Sequence, residues 1–181
     1  PEGAHTVVDL YLRDARRHKR ITPEEEISLA LDIEARQIAT WQEILSMSPA
    51  RDVVWKEIDT TESEVDLPAL RALARKDPQE AAQSLRVADR DRCLLRAVLS
   101  ALREREKEWP EFLRRVETLV KQAQRPWDAF YLGNLRLVLN GALGYKRQGH
   151  SVADLIQDGN LGLVTAVNRF DPRRGFKFST F

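Results

Sequence analysis

The chain has 181 residues, 43% of them apolar, which is enough to bury one sizeable core, and its 29 basic residues nearly balance 28 acidic ones. A single cysteine, Cys93, excludes an internal disulfide framework and a cysteine-rich metal site and suits a reducing cytoplasm. No apolar run approaches the roughly 18 residues of a membrane span, and the opening PEGAHTVVDLYLRD lacks the layout of a signal peptide, so the expectation is a soluble, unexported protein.

Apolar residues recur three and four apart almost throughout, and no Asn-Gly or Asp-Gly hairpin is followed by alternation, so the chain reads as all-α. Val7, Val8, Tyr11, Leu12 and Ala15 stripe a first helix, which gives way at the basic run Arg16 to Arg20. Thr22, Pro23 and Glu25 then form a helix start: an N-cap hydroxyl, a proline where its missing N–H is harmless, and the acid of a capping box. Ile27, Ala30, Leu31, Ile38, Trp41 and Leu45 carry that helix to about Met47, where Ser48-Pro49 ends it.

Residues 59–68 are polar and read as a loop. Asp77-Pro78-Gln79-Glu80 repeats the cap logic and opens Arg- and Glu-rich helices interrupted at Pro110. Pro126 opens a long helix through Leu135, Leu137, Val138, Leu139, Leu143 and Tyr145, closed by Gly149. Ser151 to Asp154 reads as another capping box, starting a helix that Asp171-Pro172 stops after Phe170. The tail, Arg173 to Phe181, is basic and aromatic without a periodic stripe.

Charge is unevenly placed. Residues 1–20 carry five bases against three acids, 21–121 sixteen against twenty-one, and 122–181 eight against four. A fold that joins the two ends builds a basic face suited to phosphate. Catalysis finds little support: His5, His18 and His150 are scattered, and neither a paired-histidine metal motif nor a glycine-rich phosphate loop occurs. An all-helical interaction scaffold without DNA function is the other rival, and it leaves the basic aromatic tail unexplained.

Residues 134–181, NLRLVLNGALGYKRQGHSVADLIQDGNLGLVTAVNRFDPRRGFKFSTF, closely resemble the second conserved region of bacterial RNA polymerase sigma factors of the housekeeping type. VVDLYLRD followed by ITPEEEISLA resembles the segment preceding that region, in the family's own order. The resemblance implies a helical bundle with a helical insertion, divided as residues 1–47, an insertion at 48–121, and the region-two helices at 122–181. No cofactor is implied.

It also implies the partners. Asp154, Gln157, Asp158, Asn160 and Val164 would dock on the clamp coiled coil of the largest subunit of the polymerase core. Arg173, Arg174, Phe176, Lys177, Phe178, Thr180 and Phe181 would meet promoter DNA, mainly the non-template single strand, since an extruded base needs an aromatic wall and a cation or donor at its edge. Asn134 and Leu137 would line a second base pocket together with Tyr11, Leu12, Arg13 and Glu26. Anti-sigma or other regulatory proteins are further partners of the kind.

Plainer readings stand beside these. Asp154 also fits as the N3 acid of its cap, Asp158-Gly159-Asn160 as a helix irregularity, the three tail phenylalanines, Leu12 and Leu137 as core, and Glu26 as a helix-dipole residue. The Arg- and Glu-rich insertion fits a solvated face, or a secondary contact to polymerase or upstream DNA. Phe176, Phe181 and Pro172 stand where the family usually has tyrosine, Asp158 where it has glutamate, and Val164 where it has methionine. In the family a tryptophan pair and a further helix follow the KFSTF-like segment, so the chain reads as a fragment, expected to bind polymerase better than promoter DNA.

Overall fold

The computed structural model describes residues 7–60, 66–145 and 151–181; Gly149, His5, His150 and the middle of the expected 59–68 loop lie outside them. Among the described residues the regular elements are all helical: α1 Val7–Arg17, α2 Pro23–Ser46, α3 Ser48–Thr60, α4 Leu67–Lys76, α5 Pro78–Ala88, α6 Cys93–Arg103, α7 Pro110–Gly133, α8 Leu135–Tyr145 and α9 Val152–Arg169. Two single 3-10 turns, Pro172–Arg174 and Phe178–Thr180, complete the tail.

The expected helix starts are largely realised. At α2, Thr22 Oγ1 accepts from the Glu25 amide at 3.2 Å and the Glu25 carboxylate accepts from the Thr22 amide at 2.8 Å, a reciprocal capping box. The hydrogen bond from the Lys19 ammonium, seconded by that amide, holds the Glu25 carboxyl below the usual range. Asp77 caps α5 by accepting from the Gln79 and Glu80 amides, both at 3.0 Å. Ser151 departs from expectation: its side chain makes no cap bond, and its backbone carbonyl alone closes the first turn of α9 onto Leu155.

Three further departures have physical causes. Ser48-Pro49 opens α3 rather than only ending α2, because proline fits the first turn of a helix. Ile27 and Leu31 are exposed, and the buried stripe of α2 runs instead through Ala30, Ile33, Trp41, Ile44 and Leu45. Pro126 lies inside α7 and does not start a helix. An internal proline forfeits one hydrogen bond and crowds the preceding turn; here packing sustains the helix on both sides of it, with Phe112, Leu113 and Val116 buried before and Phe130 after. The break comes at Gly133-Asn134, where the Asn134 Nδ2 turns back to donate to the Phe130 carbonyl at 3.0 Å.

By packing, the chain divides into residues 1–31 with 125–181, and residues 32–124. The second unit holds one apolar core drawn from α3 to α6, Trp41, Ile44 and Leu45 of α2, and the start of α7. Trp41 and its neighbours make the division fall at residue 32, earlier than the 47 drawn from sequence. In the first unit α8 and α9 pack along each other with α1 against both. Their approach depends on Gly159, where a Cβ would stand 2.8 Å from Val138 Cγ1, inside any real contact.

Candidate functional site

The first unit gathers every site residue expected from sequence, but not in one role. On α9, Ile156, Leu163 and Val167 turn inward, while Asp154, Gln157 and Asp158 stand exposed on the opposite side. Their three- and four-residue spacing makes them one row. Leu161 continues that row at 63% exposure, a bare leucine among carboxylates and an amide. Sequence reading passes over Leu161 because an isolated apolar residue on a helix defaults to core; its spacing from Asp154 and Asp158 was the available signal. Val164 is half-buried at the flank of the row.

Asn160 faces elsewhere. Its Oδ1 accepts from the Tyr11 hydroxyl at 2.7 Å and from the Tyr131 hydroxyl at 3.3 Å, tying α1 and α7 to α9. Tyr131 stacks on Trp127 with ring centroids 5.2 Å apart, and the Trp127 indole N–H donates to Asn168 Oδ1 at 2.8 Å. Asn160 and Tyr11, expected at two different surfaces, therefore meet in one bracing network.

Burial raises the pKa of Tyr11 far above the ordinary tyrosine value, with Tyr131 and Asp14 adding to it, and burial raises that of Tyr131 too. The fold thus favours the neutral phenols. That contribution is whole below pH about 10, where the unfolded chain begins to release these protons, and is lost progressively as pH rises beyond it. Denaturation of the chain at pH about 9 and about 11 is expected to show the fall, and Tyr11→Phe to make it shallower while costing about 0.5–1.5 kcal/mol at neutral pH.

The tail splits its phenylalanines. Phe178 is buried, edge-on to Phe130 at 4.8 Å and to Phe170 at 5.2 Å, so it is an anchor and not the stacking wall expected of it. Its amide donates to the Glu26 carboxylate at 3.2 Å, which gives Glu26 a positioning role on the tail backbone. Phe176 and Phe181 are 64% and 52% exposed, the latter also touching Phe170. Gly175 takes φ 73°, a left-handed turn that a side chain resists, between the 3-10 turn and Phe176. Arg173, Arg174, Lys177 and Thr180 are all exposed, with Arg173 held by Asp171 at 3.4 Å.

Asn134 is buried, and its Nδ2 donates to the Phe130 carbonyl at the α7–α8 corner. Leu137 lines an apolar groove of about 500 Å³ with Leu155, Gly162, Phe178 and Ser179. Arg13 is exposed, and Leu12 borders a smaller cavity with Arg16, Arg20, Arg136 and Asn140. Arg136 and Asn140 were missed by sequence, although their four-residue spacing places both on one side of α8; Arg136 Nε also reaches the Ala15 carbonyl at 3.4 Å.

Comparison with known proteins bears on this unit. The family model described as Sigma-70 region 2 matches residues 130–181, and that described as Sigma-70 factor, region 1.2, matches residues 7–37. The RNA polymerase principal sigma factor HrdD of Streptomyces coelicolor is 50% identical over 66 residues, 36% of this chain and 20% of that protein. HrdD of Streptomyces griseus is 52% identical over 66 residues with the same coverage. The RNA polymerase sigma factor SigA1 of Synechococcus elongatus is 31% identical over 174 residues, 96% of this chain and 32% of that protein.

Residues 7–37 and 130–181 are sigma-70 segments.

The chain spans about a fifth to a third of the length of these relatives. The two sigma-70 segments, apart from residues 32–37, fall in one packing unit although nearly a hundred residues separate them, and the unmatched stretch supplies the other unit. Hydrogen bonds from the Tyr11 hydroxyl to Asn160, from the Phe178 amide to Glu26 and from Arg136 to the Ala15 carbonyl join the two segments. Among the described residues no helix is long and apolar enough to cross a membrane.

Proposed function

We propose that this chain binds RNA polymerase core through the exposed row of α9 and contributes to recognition and opening of the minus-ten promoter element during transcription initiation, by binding and not by catalysis, in the cytoplasm. The observation that carries the proposal is the row Asp154, Gln157, Asp158 and Leu161, exposed within the region-2 match. A bare leucine ringed by hydrogen-bonding groups suits an anchor with a polar rim on a helical partner, which we take to be the clamp coiled coil of the largest subunit.

The DNA contribution falls to the exposed strip. Phe176 and Phe181 offer faces to unstacked non-template bases, with Arg173, Arg174, Lys177 and Thr180 toward edges and phosphates. Arg13 and Leu12 are retained as contacts near the second pocket, whereas Phe178, Asn134, Glu26 and Tyr11 act by holding the surfaces in place.

Pull-down by purified polymerase core tests the first task. The chain is expected to be retained, and Asp154→Ala with Gln157→Ala to weaken retention about tenfold or more with helix content intact. A chain ignored by core polymerase, as an unrelated helical scaffold would be, sinks the proposal.

A further inference from the structure

The second unit carries a feature that the sigma-70 matches do not reach. α3 presents Arg51, Asp52, Trp55, Lys56 and Asp59 along one side, and α4 presents Arg71 and Arg75 one turn apart with the buried Ala74 between them. The two rows border an open cavity of about 440 Å³. Ala74 contributes only a methyl group, which leaves the cavity its width, and Trp55, 9% exposed, closes the wall on the α3 side.

The charge of this cavity runs against that of its unit. Residues 32–124 carry sixteen bases and eighteen acids, yet four cations and two carboxylates line the cavity. Arg71 approaches Asp59 only to 3.8 Å, with both side chains largely in solvent, so that pairing neutralises little. Among the described residues Arg51, Lys56 and Arg75 form no ion pair. Ser48, in the first turn of α3, also lines the cavity, so the positive end of the helix adds to the field. Like charges held together around an opening repel one another unless an anion lies between them.

We infer that the α3–α4 cavity is a binding site for a phosphate-bearing ligand of about nucleotide size. The guanidinium forks of Arg51, Arg71 and Arg75 match phosphate oxygens bidentately, Lys56 adds a point charge, and the volume lies within the ordinary range for small-molecule sites. A free polyphosphate and the phosphates of a nucleic-acid backbone share this chemistry. The site stands on residues outside the docking row and the tail strip, and so is independent of the function proposed above.

The test is a nuclear magnetic resonance titration of the whole chain, labelled with nitrogen-15, at low salt. Inorganic pyrophosphate, metal-free ATP and a short DNA duplex are the separate probes. Saturable shifts of the Arg51, Arg71 and Arg75 side-chain N–H signals and of the Trp55 indole are expected. Arg71→Ala with Arg75→Ala should weaken binding at least tenfold with an unchanged circular dichroism spectrum. Arg75→Lys, which keeps charge but loses the fork, should weaken it less, and Asp52→Asn should tighten it. Response to pyrophosphate and ATP but not to duplex assigns a free ligand; tighter response to duplex, lost in the double variant, assigns a nucleic-acid backbone. No saturable shift at the cavity with any probe, or equal affinity in the folded double variant, overturns the inference.

Discussion

Phe130→Ala is expected to destabilise the first packing unit by about 3–5 kcal/mol, a large share of the roughly 5–15 kcal/mol that holds an ordinary domain together. Phe130 is 1% exposed and meets Phe178 edge-on at 4.8 Å and Phe170 at 5.7 Å. Truncation removes a ring from the middle of this cluster and leaves a cavity that the two remaining rings, fixed by α9 and the tail turn, fill only in part. The loss also reaches the tail, since burial of Phe178 is what secures the strip bearing Phe176 and Phe181. Thermal denaturation followed by circular dichroism should show a midpoint more than about 10 °C lower. Phe176→Ala, at an exposed ring, should stay within about 0.5 kcal/mol of the parent. Equal effects from the two substitutions would mean that the tail phenylalanines do not divide between anchor and surface.

That division shows where sequence reading ran out. Helix content was plain from periodicity, and Thr22 and Asp77 marked helix starts because capping is decided within four residues. The α7 boundary is not legible in the sequence because proline is a local signal, whereas continuation through Pro126 rests on burial at residues far along the helix, Phe112 and Phe130. Phe176, Phe178 and Phe181 are alike in sequence and share a basic setting. Only the fold, by placing Phe130 and Phe170 beside the middle one and Glu26 under its amide, separates them. Asn160 and Tyr11 show the same limit, for nothing local in either segment reveals a bond between residues 149 positions apart. The row on α9 was legible in its polar members because their spacing lies within one helix, and incomplete in Leu161 because exposure is a property of what fails to pack against it.

Leu161→Glu is expected to lower affinity for polymerase core by about thirtyfold or more, corresponding to about 2 kcal/mol or more at a central anchor. The substitution removes the one large apolar side chain of the row and sets a third carboxylate beside Asp154 and Asp158, so a partner helix would have to desolvate that added charge. Folding should scarcely change, because the side chain is 63% exposed and glutamate favours helix about as well as leucine. Leu161→Ala separates the two contributions: it loses the anchor without adding charge and should fall between parent and Leu161→Glu. Competition against a labelled copy of the parent chain for core polymerase measures all three. If Leu161→Glu competes as well as the parent while Asp154→Ala with Gln157→Ala does not, the docking surface lies to one side of Leu161. If neither variant is impaired, α9 is not the docking element. Raising ionic strength should weaken the parent only modestly, since a desolvated leucine is unscreened, and a steep salt dependence would instead point to the carboxylates as the main source of affinity.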